Sequence, residues 1–153
     1  MLVTYIVGLL LSKLDATLYR VLVGEVGSIP HMHIKATMDI AVFEKSVLPN
    51  SLINRRLIGV PPLVDIEVDV QVENPDLATE EIVQLRTQKL LDAGTKKVIW
   101  IFSLTQKITV AEQGKDWVTF DWNRDVEVVE GINFNVHQFL REEGYDLDSL
   151  LAE

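Results

Sequence analysis

The chain is 153 residues long, the size of one domain built on one core, and 48 % of it is hydrophobic, which excludes an intrinsically disordered chain. It has no cysteine, so disulfide staples and thiolate metal sites are excluded, and a reducing, cytoplasmic setting fits. The net charge of −9 argues against a protein that holds nucleic acid by bulk electrostatics, which needs Lys and Arg, but not against carboxylates gathered around Mg²⁺ or Mn²⁺.

The apolar start is too short for a membrane span, which needs about 20 apolar residues, and Lys13 and Asp15 interrupt it. No basic stretch precedes it, as a signal peptide would require. Residues 2–16 therefore read as a helix packed on the core, with no membrane partner. Arg20 to Val26 reads as a strand, punctuated by Gly24, Gly27 and Pro30. His31 to Lys35 is a short strand and Met38 to Phe43 a stronger one, while residues 44–60 have loop composition. Pro61-Pro62 opens a long strand over 63–73. Asp76 or Thr79 can cap the helix that follows, which carries Ile82, Leu85, Leu90 and Ala93 and stops at Gly94. Val98 to Phe102 is a continuous apolar run, the signature of a strand buried on both faces. Because the helix joins two strong strands, those two are expected as parallel neighbours. Lys107 to Ala111 and Trp117 to Trp122 flank Gln113-Gly114-Lys115, a hairpin signal. Short strands at Asp125 to Val129 and Ile132 to Asn135 lead into a short helix near Val136 to Glu143. The whole, 1–153, reads as a single α+β domain.

From Val64 to Glu73 the residues alternate without a break. Val64, Ile66, Val68, Val70 and Val72 make one face; Asp65, Glu67, Asp69, Gln71 and Glu73 make the other. Same-face residues lie about 6.5–7 Å apart along a strand, so one cation fits between neighbours with a further ligand from an adjacent strand. A solvated edge would show the same alternation. Yet like charges in a row repel, Asp and Glu are poor strand formers, and no Lys or Arg offsets them. Asp39, a lone carboxylate at the start of an apolar strand, either caps a strand end or completes such a site across the sheet.

The segments Met38-Asp-Ile-Ala-Val-Phe43, Pro61-Pro-Leu-Val-Asp-Ile-Glu-Val68, Leu90-Leu-Asp-Ala-Gly-Thr-Lys-Lys-Val-Ile-Trp-Ile101 and Gly131-Ile-Asn-Phe-Asn-Val-His-Gln-Phe-Leu140 resemble, in this order, the Uma2 family of the PD-(D/E)xK nuclease superfamily. The resemblance implies a restriction endonuclease-like mixed β-sheet flanked by helices, and Mg²⁺-dependent hydrolysis of DNA phosphodiester bonds. It implies metal ligation by Asp39, where Met38 replaces the family's proline, and by Glu67, with Glu25 as a further acidic residue. The family fold usually carries a lysine two residues after the glutamate; here that position is Asp69, followed by Gln71, a residue type that fills the role in some nucleases. The resemblance then implies a basic residue drawn from the following helix, Arg86 or Lys89. Asp65 and Glu73 are left as bystanders.

Two other readings stand beside this one. A non-catalytic member would keep the fold as a binding or dimerisation module, with a homodimer as its candidate assembly. A small-molecule binder would line a closed cavity with the acidic row. His31-Met-His33 is a weak metal motif without a third ligand. Trp100 belongs in the core, Trp117 and Trp122 are expected to cover the sheet, and Arg55-Arg56 and Lys96-Lys97 read as solvated pairs.

Overall fold

The computed structural model describes residues 2–28, 35–48, 60–69 and 79–145, without the side chains of 25–28, 35–37 and 79. Along the chain run helix α1 (Leu2–Lys13), strands β1 (Tyr19–Ser28), β2 (Lys35–Glu44) and β3 (Val64–Val68), helix α2 (Thr79–Ala93), strands β4 (Lys97–Phe102), β5 (Lys107–Glu112), β6 (Val118–Asp121), β7 (Val126–Val129) and β8 (Ile132–Phe134), and helix α3 (Val136–Glu142).

Strands β1 to β6 form one sheet in sequence order, and β7 pairs with β8 in a second, two-stranded sheet. The β3–β4 pairing is parallel and the others are antiparallel, with α2 as the crossover. This is the neighbour relation expected from a helix set between two apolar strands.

One face of the sheet is covered by α1 and the C-terminal elements. Leu2, Ile6 and Leu10 of α1 meet Ile40, Val42, Val64, Ile66, Ile99 and Ile101, together with Trp122, Val126, Phe134, Val136 and Leu140. Each such side chain taken from water contributes about 1.5–3 kcal/mol, which is why a helix with only three fully apolar contact positions still holds to the sheet. The other face is covered by α2, whose Val83, Leu90 and Leu91 pack on Val98, Trp100 and Ala111. Trp100 is a core residue, Trp122 is buried on the α1 face, and Trp117 packs partly buried on the α2 face.

Local chemistry explains where elements depart from the sequence expectation. Helix α1 ends at Lys13 rather than at residue 16. The Asp15 carboxylate accepts from the Thr17 N–H at 2.9 Å and its hydroxyl at 2.6 Å, and that turn competes with a further helical turn. Strand β1 is longer than Arg20 to Val26 because β2 pairs with it from Tyr19 opposite Glu44 to Ser28 opposite Lys35. The strand expected at His31 to Lys35 lies outside the described residues except for Lys35, which opens β2. The strand expected over 63–73 ends at Val68 in the described part. Asp69 turns away with φ 57, in the left-handed region, and residues 70–73 lie outside the described residues.

Asn135 starts α3. Its side-chain oxygen accepts from the Gln138 N–H at 2.9 Å, and its amide donates to the Asn123 carbonyl at 3.1 Å and the Asp125 carboxylate at 3.0 Å. Asn135→Ala removes the cap and is expected to cost about 1–2 kcal/mol, read as a lower denaturant midpoint at unchanged m-value. An unchanged midpoint would show that the cap contributes nothing.

Candidate active site

Strand β3 lies between β2 and β4 at the middle of the sheet. Its alternation sends Val64 and Ile66 to the α1 face and Asp65 and Glu67 to the α2 face, where they sit in register with Val98 and Trp100 of β4. The acidic face is therefore not a solvated edge in its described part: Asp65 is 0 % exposed and Glu67 3 %. Helix α2, the crossover between β3 and β4, is what covers them.

Asp39 joins them from β2. Its carboxylate accepts from the Val68 N–H at 2.9 Å, the peptide that follows Glu67, and its charge raises the pKa of both Asp65 and Glu67. Arg86, at the middle of α2, reaches Glu67 from the helix. Its Nη2 donates to Glu67 Oε1 at 3.0 Å, and the side chains are 30 % and 4 % exposed. The guanidinium also stands 5.8 Å from the centroid of the Trp100 ring. Trp100 in turn donates through Nε1 to the Thr87 hydroxyl at 2.8 Å, and Thr87 donates to the Val83 carbonyl at 2.6 Å, so the helix turn bearing Arg86 is tied to β4.

The electrostatics follow from this packing. Burial is the largest influence on Asp65 and pushes its carboxyl up; Arg86 partly offsets it. Glu67 is pushed up by burial first and by the Asp65 charge second, against the pull of Arg86. Neither Asp65 oxygen has a hydrogen-bond donor among the described residues, and the burial of two carboxyls side by side favours their protonated forms.

The other expected site residues are distributed differently. Asp69 is exposed, and its carboxylate accepts from the Ser103 N–H and hydroxyl, both at 2.7 Å, which ties the end of β3 to the turn after β4. Lys89, one helical turn beyond Arg86 and half-buried, makes no ion pair among the described residues. Gln71, Glu73, His31, His33, Arg55 and Arg56 lie outside the described residues. Glu25 lies in β1 opposite Met38, and its side chain is outside the described ones. Asp65, set aside as a bystander in the sequence, is the most deeply buried carboxylate of the group. The signal that could have found it was the parallel pairing itself, because a strand beside the doubly buried β4 is covered on both faces.

The donor set, carboxylate oxygens with two of them orphaned, fits a hard divalent cation rather than a soft or imidazole-seeking one. Among the described residues no three His, Cys, Asp or Glu groups converge closely enough to share one ion. The positive charge beside Glu67 is instead that of Arg86.

The fold is α+β: a mixed six-stranded sheet with helices on both faces. It is similar to the crystal structure of a candidate nuclease belonging to DUF820 from Anabaena variabilis, with a TM-score of 0.67 and 18 % sequence identity over 98 % of this chain and 78 % of that one. No family model and no curated protein sequence matches the chain. No helix among the described residues is long and apolar enough to cross a membrane.

Proposed function

We propose that the chain is a Uma2-like nuclease that hydrolyses DNA phosphodiester bonds with Mg²⁺ or Mn²⁺ held by Asp39 and Glu67, with Asp65 beside them. The observation that carries this reading is the buried carboxylate group on β2 and β3, in which both Asp65 oxygens lack a donor. Carboxylates so placed are costly to keep in a fold without a cation to satisfy them. The resemblance of the structure to a protein named as a candidate nuclease supports the same reading. When bound, the metal would polarise the scissile phosphate and lower the pKa of the attacking water. The chain's own contribution is positional. Asp39 is held by the Val68 peptide, and Glu67 and Asp65 are held by the rigid centre of the sheet. Arg86 presents positive charge from α2 beside Glu67, and Lys89 lies one helical turn further along the same helix.

The test is nicking of supercoiled plasmid with Mg²⁺ or Mn²⁺ by wild type, Asp39→Ala and Glu67→Ala. Wild-type nicking, with both variants reduced to background, is the expected result. Equal activity in all three proteins would remove the assigned site.

A second reading is favoured by one observation, the 3.0 Å Arg86–Glu67 ion pair, which already neutralises the proposed ligand. In that reading the chain is a catalytically degenerate nuclease-fold protein acting as a binding or dimerisation module. Calorimetry with Mn²⁺ separates the two, because a degenerate site shows no heat of binding at millimolar metal.

A further inference from the structure

Among the described residues two that are not glycine take the left-handed backbone conformation, Asp69 at φ 57 and Gln106 at φ 53. Both brace one turn, residues 103–106 between β4 and β5. On one side the Ser103 N–H and hydroxyl donate to the Asp69 carboxylate at 2.7 Å each, and the Asp69 N–H donates to the Ile101 carbonyl at 2.8 Å. On the other side the Gln106 carbonyl accepts from the Trp122 N–H at 3.3 Å, and the Lys107 carbonyl accepts from the Trp122 indole at 3.3 Å. Trp122 is buried, so the turn is fixed to the core as well as to the end of β3. Backbone strain of this kind persists only where the surroundings enforce it, and it clusters at segments that contact ligands.

What the turn displays is Leu104. It is 80 % exposed, the most exposed large apolar side chain among the described residues, and Ser103, Thr105 and Gln106 around it are polar. A lone exposed leucine is ordinary on a protein surface. One held at the tip of a strained turn braced on both sides is a fixed apolar point. Its place in the fold is also defined. Trp100 of β4 is the register partner of Glu67, and Leu104 follows it at the end of the sheet toward which Glu67 lies. From Trp100 to Leu104 the chain reaches at most about 13 Å at the rise of a strand, the span of about four base steps of DNA.

We infer that Leu104 is a wedge that enters a base step of duplex DNA lying across the end of the sheet that carries Asp39 and Glu67. This rests on the DNA reading above and adds to it a contact that the chain's charge does not provide. At a net charge of −9 the pull on phosphates is weak, whereas an apolar side chain set between bases gains by leaving water and needs no counter-charge. A single apolar tip flanked by polar residues suits a base step. It suits a protein partner less well, because such contacts centre on packed clusters of aromatic and apolar side chains.

Titration of a short fluorescein-labelled DNA duplex with wild type, Leu104→Ala and Leu104→Trp, with Ca²⁺ in place of Mg²⁺, tests the wedge. Leu104 is exposed, so neither substitution disturbs the core. Fluorescence anisotropy is expected to show Leu104→Ala binding about tenfold more weakly than wild type, and Leu104→Trp binding about as wild type does. The added indole of Leu104→Trp is expected to be quenched by stacking on bases, while the three native tryptophans of wild type keep their emission. Equal affinity of wild type and Leu104→Ala, or quenching in bound Leu104→Trp no greater than in wild type, overturns the wedge and leaves the nuclease reading standing. Equal DNA affinity together with a wild-type homodimer that Leu104→Ala dissociates, read by light scattering, assigns the turn to a protein contact and likewise overturns the wedge. Absence of duplex binding by wild type at high micromolar protein overturns both.

Discussion

Asp65→Asn is expected to stabilise the metal-free protein at pH 8 by about 1–3 kcal/mol, the desolvation cost of a buried polar group left without its partners. For a chain of this size that corresponds to a rise in thermal midpoint of about 2–4 °C per kcal/mol. Asp65 is fully buried with no donor to either oxygen among the described residues, and the asparagine amide can donate to Glu67 at any pH, where a carboxyl must first hold a proton. The pH dependence gives the sign. Both carboxyls have folded-state values raised above their unfolded ones, chiefly by burial. The native state therefore holds a proton that the unfolded chain has released. Stability is fully present below the ordinary carboxylate range, near pH 4, and is lost as pH rises toward the point where the pair gives up its proton. Each extra proton held costs about 1.4 kcal/mol per pH unit across that window. Asp65→Asn and wild type should thus coincide near pH 4 and diverge as the pH rises, with the variant the more stable. Under the metal reading proposed above, saturating Mg²⁺ reverses the order, because the wild type would gain a ligand-bound native state that the variant holds less well. A metal-free variant no more stable than wild type at pH 8 would show that the Asp65 charge is already compensated.

The same residue shows where a single sequence stops being legible. The strand alternation was visible, and so was the parallel relation of β3 and β4, because a long helix between two apolar strands leaves few other arrangements. Asp39 was legible as a candidate from its place at the start of an apolar strand, and Glu67 from the acidic alternation and the family resemblance. The burial of Asp65 could not be read from the alternation, which looks the same whether water or a helix covers the polar face; only the expected pairing with the doubly buried β4 pointed to it. What decides it is α2, whose buried Val83, Leu90 and Leu91 press on Val98 and Trp100 of the neighbouring strand. The end of β3 was hidden for a similar reason. Val70 and Val72 continue the pattern past Asp69, yet Asp69 leaves the strand with φ 57 and spends its carboxylate on Ser103, a contact 34 residues away that no local pattern encodes. Arg86 could be named as one of two basic residues on the helix, but choosing it over Lys89 needed the helix phase relative to Glu67.

Trp100→Ala is expected to be the most destabilising single change at the site, costing about 3–5 kcal/mol in denaturant titration. Trp100 is 1 % exposed and is among the largest fully buried side chains. It makes three separate attachments on the α2 face: the indole N–H to Thr87 at 2.8 Å, a stacked contact with Phe102 at 6.3 Å between ring centroids, and the guanidinium of Arg86. Removing it leaves a cavity between β4 and the helix that carries Arg86, and removes the ring against which the guanidinium stands. Trp100→Phe separates these effects. It keeps most of the apolar volume and a cation-attracting face and loses only the N–H, so about 1–2 kcal/mol is expected, since Thr87 retains its own donation to the Val83 carbonyl. Equal losses of stability in the two variants would show that the indole N–H, and not the ring volume, carries the contribution of Trp100.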